Sequence, residues 1–410
     1  MQTPAATPQL HAAQPALAGL CAQRCTRLLS VLQSDIDRQH VPGAVVLVAR
    51  HGKLALFESL GAQNPATGQA MAKDSIFRIY SMTKPVVSVA VMMLMEQGLV
   101  SLSDPVANYL PEFASQQVAT FDGNGHALPL RPASRPATVQ DLLRHTAGLT
   151  YEFVGNLPVH SQYAKACVGS RQRSNAEFSK VLAALPLVAD PGSVWEYSRA
   201  TDVLGRLIEV LSGQTLAAFL QEKILAPLGM HETAFSVPAG QHGRIAEPYA
   251  RDPDGGIPMQ MIDIRNEVPF TSGGGGLAST AMDYARFLQF MLNRGELDGV
   301  RLLGPYTVDF MTADHLGGIE ITPLSASLGV LPPGYGFGLG FAVRTATGLS
   351  ALPGSVGSYY WGGIAGTTFF VDPALDMFAL MMVQAPNQRE YFRALFRNLV
   401  YAALLDQANP

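Results

Sequence analysis

Ser81-Met82-Thr83-Lys84-Pro85-Val86-Val87-Ser88-Val89-Ala90-Val91-Met92-Met93-Leu94-Met95 is the stretch on which the reading of this chain turns. A hydroxyl and an amine three positions apart on a helix share one face. The residues that follow are apolar at too many consecutive positions for a surface helix. Burial strips water from an ammonium, so the Lys84 pKa is expected to fall and the amine to take the Ser81 proton. That is the chemical logic of a Ser-x-x-Lys nucleophile. The plainer alternative is a helix start at which Ser81 caps and Lys84 is solvated. Six lysines occur, Lys53, Lys73, Lys84, Lys165, Lys180 and Lys223, and Lys84 alone has Ser or Thr three places before it.

Composition points to a globular enzyme. The 410 residues can bury a large core and form two lobes or one large domain with an insertion. Apolar residues make up 48% and charged residues 15%, unlike a disordered or fibrous chain. A net charge of -4 gives no electrostatic ground for nucleic acid or an anionic membrane as partner. No apolar run reaches the length of a membrane span. Residues 1–15 lack a basic n-region and a continuous apolar h-region, so a flexible tail and a cytoplasmic location are expected. Cys21, Cys25 and Cys167 are an odd count without framework spacing. The histidines show no metal-ligand spacing, and neither metal nor cofactor is expected.

The two ends of the chain mirror each other. Leu17 to Gln39 has helical periodicity, Gly43 to Ala49 and Leu54 to Leu60 read as a hairpin around His51-Gly52-Lys53, and residues 338–344, 358–371 and 377–384 read as three strands. Arg389 to Leu405 reads as an amphipathic helix. One antiparallel sheet built from both ends, flanked by helices, is expected, with an inserted helical lobe. The boundaries are 16–85 with 265–410 for the α/β lobe and 86–264 for the mainly helical lobe.

Two further segments carry chemistry. Tyr197 in Trp195-Glu196-Tyr197-Ser198 sits on a loop between helical patterns and reads as a proton shuttle or as a packing aromatic. Tyr360-Trp361-Gly362-Gly363-Ile364-Ala365-Gly366-Thr367 reads as a Gly-rich strand that admits a ligand, or as a bulge. Gly273 to Gly276 lacks the Lys-Ser/Thr pair of a phosphate loop and reads as a turn before a Thr280-Ala281-Met282-Asp283 capping box. His145 reads as a cleft-shaping histidine. No G-x-S-x-G is present, which argues against a nucleophile elbow.

In this order, Ser81-x-x-Lys84, Tyr197-Ser198 and Trp361-Gly362-Gly363 resemble the family VIII carboxylesterases, serine hydrolases similar to class C β-lactamases and penicillin-binding D,D-peptidases. Arg78-Ile79-Tyr80, residues 145–149, Asp202-Val203-Leu204-Gly205 and residues 272–277 look like the same family, over about residues 40 to 385. The resemblance implies a β-lactamase-like fold and roles position by position. Ser81 is the acylated nucleophile, Lys84 holds or activates its proton, and Tyr197 shares the base role and protonates the leaving alkoxide. The backbone N–H groups of Ser81 and Ile364 form the oxyanion hole, and Trp361, Gly362 and Gly363 line the substrate. Two motifs depart from the β-lactamase pattern: Tyr-x-Asn becomes Tyr197-Ser198-Arg199, and Lys-Thr-Gly becomes Trp361-Gly362-Gly363. Loss of that cation favours an uncharged short-chain ester over a β-lactam or a D-alanine terminus. A β-lactamase, D,D-peptidase or acyltransferase on the same scaffold is the alternative.

Overall fold

The computed structural model describes residues 10–122, 127–327 and 329–405. Its centre is a nine-stranded sheet. The strands are β1 (His11–Ala12), β2 (Gly43–Arg50), β3 (Lys53–Asn64), β4 (Gln69–Ala70), β5 (Tyr335–Phe337), β6 (Ala342–Arg344), β7 (Tyr359–Gly362), β8 (Thr368–Asp372) and β9 (Met377–Val383). They lie in the order β1-β3-β2-β9-β8-β7-β6-β5, with β4 paired to β3. The two chain ends meet where β2 runs antiparallel to β9, with Val46 opposite Met381 and Leu47 opposite Leu380.

The period-two alternation of side chains gives the sheet two apolar faces. Val46, Val48, Ala379 and Met381 face helices α1 (Ala22–Asp37) and α5 (Arg389–Ala403), packing with Leu28, Leu32, Phe392, Phe396 and Val400. Val45, Leu47, Leu380 and Met382 face the opposite side. There α4 (Ala281–Leu292) covers the sheet with Tyr284 and Leu288. Beyond it lie α2 (Thr83–Glu96) and α3 (Ala200–Ser212), which pack on each other. Every residue of α2 from Thr83 to Leu94 is buried, as a run apolar at nearly every position after Lys84 requires. The shorter helices between residues 139 and 225, with a hairpin of Gln117–Phe121 and Ala127–Pro132, complete the helical part.

Several elements differ from the sequence expectation. The sheet is antiparallel except at its edge, where His11 pairs in parallel with Lys53. Residues 10–15 are thus part of the fold, and only 1–9 of the expected tail lie outside the described residues. Residues 338–344 are not one strand: Gly340 has φ +99°, and the chain turns there between β5 and β6. Residues 358–371 split likewise into β7 and β8 at a turn containing Gly366, φ +105°. Both angles lie where only glycine sits without strain. Thr280 caps α4 by accepting the Asp283 N–H, but Asp283 accepts from Glu232 and Thr233 instead of closing a capping box.

Candidate active site

Ser81 stands between the short pair Phe77–Arg78 with Ala278–Ser279 and the head of α2. Tyr80 takes a φ of +44°, a strained value for a residue with a side chain. Its hydroxyl accepts the Ile262 N–H at 3.0 Å, and Tyr284 donates to the Met82 carbonyl at 2.9 Å. Ser81 follows in a 3₁₀ turn, Tyr80–Met82, that runs into α2. Pro85 is tolerated because it occupies the first helical turn, where N–H groups have no partner inside the helix.

Two side chains converge on Ser81 Oγ. Lys84 Nζ donates to it at 3.3 Å and Tyr197 Oη donates at 2.8 Å. Lys84 is fully buried, and its other two protons go to Tyr151 Oη at 3.0 Å and to the Gly274 carbonyl at 2.6 Å. All three ammonium donors are used. The solvated-lysine alternative is therefore excluded by the geometry. Tyr151 was not among the sequence candidates.

The expected fall in the Lys84 pKa is not what the surroundings produce. Burial does pull it down, but the neighbouring phenols Tyr151 and Tyr197 push it up more strongly, and the net direction is up. Lys84 is an ammonium in the resting site. Burial raises the Tyr151 hydroxyl against the opposing charge of Lys84. Burial, and then the Lys84 charge, hold His145 well below the usual histidine range, so its ring is neutral.

The glycine turn at residues 273–276 supplies the carbonyl that Lys84 needs. It presses onto the start of α3: a Cβ on Gly273 would stand 2.6 Å from the Thr201 oxygen, and one on Gly274 2.8 Å from Asp202. Asp202 is buried and accepts from the Gly274 N–H at 2.9 Å and from Ser272 Oγ. Arg199, which packs 4.9 Å from the Tyr151 ring centroid, pairs with Asp202 at 3.3 Å and with Glu152. A chain of charge and dipole thus runs Arg199–Asp202–Gly274–Lys84.

Tyr197 is held from every side. Its ring lies 4.9 Å from His145, 5.3 Å from Tyr151 and 5.4 Å, edge to face, from Trp361. Its N–H donates to Ser325 Oγ at 3.1 Å, which donates on to the buried Glu196 carboxylate at 3.0 Å. Thr150 and Thr322 donate to the same carboxylate. Ser198 Oγ lies 3.2 Å from His145 Nδ1.

The Trp361-Gly362-Gly363 segment ends β7. Trp361 is only 3% exposed, packed between Tyr197 and Phe337, the latter at 5.2 Å, and it lines the cavity beside Tyr197. Gly362 lines the cavity. Gly363 does not: its α-carbon faces Ile79, where a Cβ would stand 2.5 Å from the carbonyl oxygen. That close approach sets the next residue, Ile364, beside the Ser81 turn. Both Ser81 and Ile364 line the cavity, and the Ile364 N–H meets no internal acceptor among the described residues.

The cavity measures about 830 Å³. Phe153, Phe235, Ile262, Phe270, Val330 and Leu352 line it together with Ser81, Tyr151 and Tyr197.

Fold and site together define a serine hydrolase of the scaffold shared by β-lactamases and penicillin-binding proteins. Residues 28–404 match the Beta-lactamase family, and the chain belongs to it, in the group that family VIII esterases share with class C β-lactamases. Esterase EstB of Burkholderia gladioli is 32% identical over 387 residues, 88% of this chain and 90% of the esterase. Protein Rv1367c of Mycobacterium tuberculosis is 35% identical over 356 residues, 85% of this chain and 87% of its own length. The solved structure of EstCE1, a hydrolase with promiscuous acyltransferase activity, matches with a TM-score of 0.77 at 26% identity, covering 92% of this chain and 99% of EstCE1.

Proposed function

We propose that this protein is a carboxylesterase that works through an acyl-enzyme on Ser81. The observation that carries the reading is the meeting of Lys84 Nζ and Tyr197 Oη on Ser81 Oγ, at 3.3 and 2.8 Å, inside a large cavity. The reactive form has lost one proton from the cluster. Because Lys84 holds its own proton, the acceptor for the serine proton is the Tyr197 oxygen beside the Lys84 ammonium. Ser81 Oγ then bonds to the ester carbonyl carbon, and the carbonyl oxygen becomes an anion facing the Ser81 and Ile364 N–H groups. The C–O bond to the alcohol breaks, and Tyr197 returns its proton to the departing alkoxide. Water, deprotonated by the same oxygen, then bonds to the acyl carbon; the C–Oγ bond breaks, the Tyr197 proton passes to Ser81 Oγ, and the acid is released.

The substrate class follows from the space available. A cavity of about 830 Å³ is of the size that holds a whole drug-sized molecule, and its walls are mainly apolar. Short-chain esters are small probes for it, and the fitting substrate is a bulky, largely apolar ester. The same room favours a second outcome for the acyl-enzyme, interception by an alcohol in place of water; EstCE1 is a hydrolase with promiscuous acyltransferase activity. The absence of an amide at Ser198–Arg199, with Arg199 committed to Asp202 and Glu152, argues against a β-lactam as the main substrate.

A panel of p-nitrophenyl acetate, p-nitrophenyl butyrate, a naphthyl ester and nitrocefin, run on wild type and Ser81→Ala, tests this. Ester turnover lost in a folded Ser81→Ala protein, with kcat/KM rising with ester bulk and exceeding that for nitrocefin, is expected. Retained turnover in Ser81→Ala contradicts the nucleophile, and preference for nitrocefin contradicts the substrate class.

A further inference from the structure

Arg393, on α5, reaches across to the end of β7. Its Nη2 donates to the Gly363 carbonyl oxygen at 2.6 Å and its Nη1 to Glu390 at 2.9 Å. Its Nε is buried without a partner among the described residues. A Cβ on Gly362 would stand 2.7 Å from Nη2 and 2.9 Å from Cζ. Glycine at 362 is therefore what admits the guanidinium, as glycine at 363 is what admits the Ile79 carbonyl. The motif that lost a lysine has a cation beside it after all, brought from a helix on the other face of the sheet.

The bond it makes has a particular target. The Gly363 carbonyl and the Ile364 N–H belong to one planar trans peptide, pointing in opposite directions. Two donors hold that oxygen, the Arg393 guanidinium and the Gly366 N–H at 3.0 Å, and together they set the plane that aims the N–H. Hydrogen bonds in series also polarise one another, and a charged donor forms one of the stronger kind.

We propose that Arg393 is a positioning residue for the oxyanion hole, its guanidinium holding and polarising the Gly363–Ile364 peptide so that the Ile364 N–H meets the tetrahedral intermediate. The proposal rests on the acyl-enzyme reading of Ser81. As the ester oxygen gains charge, the peptide dipole lies between that anion and the Arg393 cation. The gain is larger in the transition state than in the bound ester, so it belongs in kcat and not in KM.

The test compares wild type with Arg393→Gln, Arg393→Lys and Gly362→Ala, the last of which keeps the guanidinium and displaces it. Outright loss of one oxyanion donor costs about 10²–10³ in kcat, and loss of its positioning partner is expected to cost about tenfold, with KM changed less than about twofold. Affinity for an aryl boronic acid, which forms a tetrahedral adduct on the serine, should fall by the same factor. The infrared carbonyl stretch of the acyl-enzyme should move to higher wavenumber, and Arg393→Lys should recover part of each effect. Boronate affinity and carbonyl stretch left unchanged in Arg393→Gln and Gly362→Ala, whatever their thermal midpoints, overturn the proposal. So does a rise in KM confined to anionic esters, which would make Arg393 a substrate ligand. Wild-type protein that forms no boronate adduct on Ser81 overturns the acyl-enzyme reading itself; an adduct in wild type that Arg393→Gln binds equally well overturns the role of Arg393 alone.

Discussion

Replacing Gly363 by alanine tests whether the end of β7 must press against the Ser81 turn. The new Cβ would lie 2.5 Å from both the Ile79 carbonyl oxygen and Thr367 Oγ1. Ordinary contact begins at 3.4 Å, so the neighbours must part by about 0.9 Å. Neither is a free end. The Ile79 carbonyl accepts the Met82 N–H at 3.0 Å, and Thr367 accepts the Gly363 N–H through its carbonyl at 2.8 Å. The strain therefore passes to the Gly363–Ile364 peptide or to the turn that carries Ser81. A displacement of about 1 Å in a positioned group costs on the order of 10²-fold in rate, and a lost oxyanion donor about 3–4 kcal/mol. Overpacking itself should cost about 1–3 kcal/mol of stability. The assay is kcat and KM for p-nitrophenyl butyrate, with thermal melting to establish that the variant is folded. A fall of about 10² in kcat with KM within about threefold is expected. A folded Gly363→Ala protein with kcat within about threefold of wild type would refute the reasoning.

Three further outcomes follow from the same geometry. The reactive form lacks one proton of the resting cluster, in which Lys84 is held above its usual range, so kcat/KM should climb as pH rises; a profile that falls above neutrality contradicts this. Tyr151→Phe removes one of the three acceptors that hold the Lys84 ammonium, so kcat should fall about tenfold as Nζ is held less firmly beside Tyr197; a folded variant with kcat unchanged denies Tyr151 its part. Asp202→Asn leaves the buried Arg199 with one carboxylate fewer and should cost about 3–5 kcal/mol in urea unfolding, with kcat falling because Gly274 loosens over Lys84; a variant as stable and active as wild type would sink the proposed chain of support.

What the sequence makes legible is what repeats at a fixed spacing. Ser81 and Lys84 share a face because three residues nearly close a helical turn, and the burial of α2 is written in its long apolar run. The meeting of β2 with β9 could be read because both are continuous apolar stretches near opposite ends. Turns hidden inside apolar segments could not, since Gly340 and Gly366 differ from ordinary strand glycines in φ and not in hydropathy. Tyr151 escaped notice because only the folded path of residues 145–151 aims its hydroxyl at Lys84. The direction of the Lys84 pKa was misjudged for the same reason: burial can be inferred from neighbours in sequence, but the acceptors Tyr151 and Gly274 come from far along the chain. Arg393 reads in sequence as one cation among several on the polar side of α5.

The most direct measurement is the intact mass of the protein quenched during turnover of a slow ester, followed by peptide mapping of the adduct. The account predicts a single acyl increment on the peptide containing Ser81, absent from Ser81→Ala. An increment on any other residue, or steady turnover with the mass unchanged under conditions that trap acyl-enzymes, would contradict it.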